Sequence, residues 1–102
     1  MPKVEILSEA KQQIRDIALY HKMKVGPNSA RKITDKLLDA IEQLGEFPEM
    51  GVRPPSDIVA EAGYRMLIVD KYLCFYSIVG DVVYVSHVVH GSTDYMKVLL
   101  RD

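Results

Sequence analysis

A chain of 102 residues with a net charge of −1 is enough for one domain around one modest core, and a single domain over residues 1–102 is expected. The near-neutral balance argues against a general polyanion binder. No apolar run approaches the roughly 18–20 residues of a membrane span, so no membrane association is expected.

The N-terminus, Met1 to Leu7, is too short and too charged for a secretory leader. The lone cysteine, Cys74, cannot close an internal disulfide. Both features point to the cytoplasm, where thiols stay reduced. Because Cys74 sits in an apolar run, it reads as a core residue and not as a nucleophile.

In chain order, Val4, Ile6 and Leu7 predict a short first strand. Ser8 is the expected N-cap of a helix, with Glu9 favourable in its first turn. Ala10, Ile14, Ile17, Ala18 and His21 recur at three- and four-residue spacing and define its buried face. Gly26-Pro27 breaks that helix. Asn28 or Ser29 is expected to cap a second one, whose apolar face is Ala30, Ile33, Leu37, Ile41 and Leu44, with Leu38 and Ala40 in support. Gly45 is placed to end it. The short break makes the two helices an antiparallel hairpin.

Residues 46–63 are rich in Pro and Gly and predict a long surface loop, with a helical turn near 58–62. Three strands follow, over 64–70, 72–79 and 82–90. They are joined by tight connections at 69–72 and at Gly80-Asp81, where Gly suits the positive φ of a type II′ turn. Their apolar residues alternate between two faces, with Leu73 and Phe75 on one and Cys74 and Ile78 on the other. Ser92, Thr93 or Asp94 can cap a last short helix bearing Met96, Leu99 and Leu100. The expected class is α+β, in the order β-α-α-β-β-β-α. An N-terminal strand and antiparallel helical hairpin pack on a twisted, mainly antiparallel sheet.

Charge is unevenly spread. Residues 11–36 hold seven cations against two anions, and residues 39–61 hold six anions against Arg53. The first segment predicts a basic helical face for an acidic partner, with Lys11, Arg15, Lys22 and Lys24 as its candidates.

No metal motif is present. His87 and His90 are three apart on a strand, an odd spacing that sends them to opposite faces, so neither a metal nor a cofactor is expected. No phosphate loop, nucleophile elbow or Cys/His pair is found. Metal-free RNA cleavage needs a base, a cation for the oxyanion and an acid. His90, Arg65 and Tyr76 or Tyr95 offer such groups. Nothing resembles a recognition helix with base-reading residues, so direct DNA binding is not expected.

Four stretches carry a family resemblance. The hairpin ends in Leu44-Gly45-Glu46-Phe47-Pro48-Glu49-Met50-Gly51, similar to an L-x-x-x-P-x-x-G junction. The sheet then reads Gly63-Tyr64-Arg65-Met66-Leu67-Ile68-Val69 and Tyr72-Leu73-Cys74-Phe75-Tyr76. The chain closes on Val88-Val89-His90-Gly91-Ser92-Thr93-Asp94-Tyr95. In this order they resemble the RelE/ParE superfamily of toxins from type II toxin–antitoxin pairs.

The resemblance implies two alternatives. RelE-like members are ribosome-dependent mRNA endonucleases with cations on the second and third strands. Here Arg65 fits, while Leu67 and Leu73 occupy the other positions. ParE-like members inhibit DNA gyrase without catalysis and tend to read Y-L-x-F-Y, then R-V-L-H-G-x-R-D. This chain matches at Tyr72-Leu73, Phe75-Tyr76, His90-Gly91 and Asp94, and departs at His87 and Thr93.

The leading expectation is therefore a ParE-like toxin directed at gyrase. A cognate antitoxin would neutralise it in a hetero-oligomer. The alternatives are an endoribonuclease acting at the ribosome through Arg65, His90 and Tyr76 or Tyr95, and an inactive member that acts only in the antitoxin complex.

Overall fold

The computed structural model describes residues 3–100. Its elements are β1 (Lys3–Ile6), α1 (Ser8–Lys24), α2 (Pro27–Gln43), α3 (Asp57–Glu61), β2 (Arg65–Val69), β3 (Tyr72–Val79), β4 (Val82–His90) and α4 (Tyr95–Leu99). The four strands form one sheet in the order β1-β4-β3-β2. β1 runs parallel to β4, while both other pairings are antiparallel. The expected α+β order is observed, and α3 is the helical turn expected in the loop near 58–62.

Three helix ends differ from the sequence expectation. Ser8 does not cap α1. Leu7 takes that place in an extended conformation, because its N–H is still bonded to Val85 O at 2.9 Å while its carbonyl already accepts from Lys11. Strand thus turns into helix with no residue between. Neither Asn28 nor Ser29 caps α2. Gly26 does so at φ 146°, and Pro27 is the first helical residue, where its missing N–H costs nothing. Finally, α2 ends at Gln43, with Leu44 as C-cap. Gly45 lies in the tightened turn that follows, its N–H reaching Glu42 O at 3.0 Å.

The sheet is covered on both faces. One face carries Tyr72, Cys74, Tyr76, Val83, Val85 and Val88 and packs against Ala10 and Ile14 of α1 and Ile33, Leu37 and Ile41 of α2. The other carries Met66, Phe75 and Val89 under Val59 of α3 and Leu99 of α4. Each Val, Leu, Ile, Met or Phe among them contributes about 1.5–3 kcal/mol when taken out of water. Leu38, expected to support the core, instead faces solvent, while Ala40 does pack against it.

A β-bulge lies in β4. Phe75 pairs with His87 but Tyr76 pairs with Val85, which leaves Ser86 without a cross-strand partner. The extra residue shifts the alternation, so Val83, Val85 and Val88 all reach the helical face. The hairpin turn at Gly80 has φ 59°, as the II′ reading requires, and Asp70 takes φ 56° in the β2–β3 turn. Aspartate tolerates that left-handed region better than most residues.

Candidate functional site

The residues that sequence reasoning offered fall into three places. Arg65 and Tyr76 are cross-strand partners on β2 and β3, and both act on the loop before α3. The Tyr76 hydroxyl donates to Pro48 O at 2.7 Å and accepts from Gly51 N–H at 3.0 Å. The Arg65 guanidinium donates to Glu49 O and Gly51 O, each at 2.8 Å. Tyr76 is fully buried. Gly51 fits only as glycine, because an added Cβ would stand 2.5 Å from the Tyr76 oxygen and 2.9 Å from Met66 O. The loop is therefore latched to the sheet by the two side chains a nuclease reading needs at the reacting phosphate.

His90 and Tyr95 stand elsewhere. His90 pairs with Tyr72, four residues along β3 from Tyr76 and so about 13 Å away. Its Nδ1 accepts from the Ser92 backbone N–H at 3.0 Å and lies 2.8 Å from Ser92 Oγ. Tyr95 packs on Phe75 at 4.9 Å between ring centres, on the opposite face of the sheet. The four candidates do not converge on one reacting atom. His87 and His90 also lie apart, as their spacing predicts. The His87 Nδ1 is 3.3 Å from a Glu9 carboxylate oxygen.

A group that sequence reasoning did not assemble gathers beside His90. His21 reaches down from α1, with Nε2 2.8 Å from the Tyr72 hydroxyl and Nδ1 3.0 Å from Ser29 Oγ on α2. Tyr72 also meets His90 edge to face at 5.6 Å. Burial, aided by Tyr20 and Asp70, pushes the Tyr72 phenol up from its ordinary value. Where the Tyr72 hydroxyl donates to Nε2, the ring proton sits on Nδ1 and faces Ser29 Oγ. The available signal was a histidine on an otherwise apolar helix face. Its partner, 51 residues away, cannot be read from spacing.

This group floors an open groove of about 600 Å³ between α1 and the end of β4. On the α1 side, Gln13 crosses the groove and its Oε1 accepts from Val88 N–H at 2.7 Å.

The basic candidates lie on α1. Lys11, Arg15, Lys22 and Lys24 are all exposed, and among the described residues none makes an ion pair. At 3.6 residues per turn, Lys11, Arg15 and Lys22 form one stripe, while Lys24 falls on the other side of the helix. Asp16, the acid between them in sequence, accepts from Gln12 at 2.9 Å. Among the described residues no helix is long and apolar enough to cross a membrane.

Comparison with known proteins gives one family. A family model described as the ParE toxin of the type II toxin–antitoxin system, parDE, matches residues 4–95. Among solved structures, a chain from "Chromosomal ParDE TA system from P. aeruginosa" superposes with a TM-score of 0.76 at 16% identity. The match covers 88% of this chain and 96% of that one. At that identity the likeness speaks to the fold alone. No curated protein matches the chain.

Proposed function

The chain belongs to the ParE toxin family of type II toxin–antitoxin systems, and from that premise we propose that it arrests growth by binding DNA gyrase without catalysing a reaction. The observation that carries this reading is the use made of Arg65 and Tyr76. A metal-free nuclease needs a mobile or solvent-facing cation and acid at the phosphate. Here all four polar contacts of that pair go to backbone groups of residues 48–51. Leu67, on the same face, offers no charge, and Leu73 lies on the opposite face of the sheet. A binding surface, in contrast, needs only a rigid shape, and the latched loop supplies rigidity.

Neutralisation belongs to the same proposal. An antitoxin segment rich in acid would meet the Lys11, Arg15 and Lys22 stripe, none of which is held in an ion pair among the described residues. A disordered segment that folds on binding can cover a surface of this kind.

The test is induction of this chain in bacteria without its antitoxin, with pulse-labelling of DNA and protein synthesis over the first minutes. The expected result is an early fall in DNA synthesis while translation continues. An early fall in translation would overturn the gyrase reading and bring the nuclease reading forward.

A further inference from the structure

The outer edge of β4 is only half used. β1 pairs with Val82 to Val85 and then ends, yet β4 continues to His90. Beyond Val85 no other strand among the described residues lies on that side, since β4 is next to the end of the sheet order. The bulge at Ser86 sets which backbone groups face outward there. Gly91 N–H bonds inward to Lys71 O on the β3 side, whereas Val88 N–H points out and is met by the Gln13 side chain. A side-chain amide stands where a neighbouring strand would place a carbonyl.

The space around that contact suits a main chain. The groove has α1 as one wall, with Ile17 and Tyr20, and the β4 end as the other, with Val88 and His90. Lys71 lines it on the sheet side, and Asp16 lines it on the α1 side. An exposed strand edge binds extended peptide through backbone hydrogen bonds, while side pockets select residues. The α1 wall excludes the edge of an already folded sheet, whose own neighbouring strands would collide with the helix. A lone extended segment meets no such wall. A second copy of this chain is therefore a poor occupant, and a flexible partner segment is a good one.

We propose that the open end of β4 receives a short extended segment of the antitoxin, added to the sheet in line with β1, and that Gln13 holds its place until it arrives. This rests on the toxin–antitoxin reading above and names the second surface of that complex. The incoming carbonyl takes over Val88 N–H from Gln13. An apolar side chain lies on Ile17 and Tyr20, and an acidic one faces Lys71. The groove is on the flank of α1 away from the Lys11, Arg15 and Lys22 stripe, so one antitoxin chain that used both would wrap the helix.

Two substitutions at Gln13 separate this from general electrostatics. Gln13→Glu leaves an acceptor of greater strength on Val88 N–H, because a charged acceptor binds a donor more tightly. Gln13→Ala empties the place. Binding of the antitoxin encoded beside this chain is measured by calorimetry for the wild type and both variants, at low and high salt. Amide hydrogen exchange of the wild-type toxin is followed alone and in complex.

The expected result is about tenfold weaker binding for Gln13→Glu at both salt concentrations, with Gln13→Ala equal to or tighter than wild type. Amides at Val88–His90 gain protection in the wild-type complex. Tight antitoxin binding with unchanged exchange at Val88–His90 overturns the strand addition and leaves the toxin–antitoxin reading standing. No binding by the wild type overturns both.

Discussion

The Tyr76 hydroxyl is committed to the loop before α3. Its oxygen serves two backbone groups of the loop, and among the described residues neither has another hydrogen bond. Tyr76→Phe removes both bonds and leaves the Gly51 N–H buried without them and Pro48 O half-buried, at a cost of about 1–3 kcal/mol. We expect the urea midpoint to fall at unchanged slope. A midpoint equal to wild type would sink the latch. Gly51→Ala should damage the same contact from the other side, by steric overlap with the Tyr76 oxygen.

Cys74 gives a pH prediction at the same scale. Burial pushes its thiol up from 9.0 to about 12. The neutral, protonated form is the one the fold holds, so the unfolded chain loses its proton first. Stability from this group is intact below pH 9 and declines as the pH rises toward 12, by ~1.4 kcal/mol per pH unit. Tyr72, also raised, acts in the same direction. Thiol reagents at pH 8 should label Cys74 only after denaturation, and rapid labelling of the native protein would contradict its burial.

At the scale of elements, α1 does three things with three faces. Ala10 and Ile14 are buried in the core, Gln13, Ile17 and Tyr20 wall the groove, and Lys11, Arg15 and Lys22 form the basic stripe. Between groove and stripe, Leu19 and Met23 are 55% and 76% exposed, an apolar strip that a wrapping partner would cover. Replacing Lys11, Arg15, Lys22 and Lys24 with Glu should weaken antitoxin binding most at low salt, because such contacts are screened. Lys24→Glu alone should contribute less than any member of the stripe. Unchanged affinity at low salt for the fourfold variant would rule out the electrostatic account.

For the whole molecule, the sheet is the organising device. It separates His90 from Tyr95 by putting them on different faces. It separates His90 from Arg65 by most of a strand length, and it turns Arg65 and Tyr76 into fasteners. His90→Ala should therefore keep full toxicity in the induction assay, with DNA synthesis still falling first. Loss of toxicity in a variant that remains folded would restore His90 to a catalytic role. Arg65→Ala is the poorer test, since it also releases the loop at Glu49 and Gly51.

Periodicity, turn chemistry and charge are local properties, and they determined the elements. The helical faces of Ile14 and of Ile33, Leu37 and Ile41, the Gly80 turn, the alternation of Cys74 and Phe75 and the basic run on α1 were all legible in the sequence. So was the resemblance to the toxin family, because it rests on short ordered stretches.

Tertiary structure decided what polar side chains face. A helix cap depends on whether the preceding strand has ended, which is why Leu7 displaced Ser8. The bulge at Ser86 depends on the register of two strands, and it alone aims Val88 N–H at Gln13. His21 finds Tyr72 across 51 positions, and Tyr76 finds Gly51 across 25. Such pairs form because a buried polar group must have a partner, and only the packed chain brings that partner within reach.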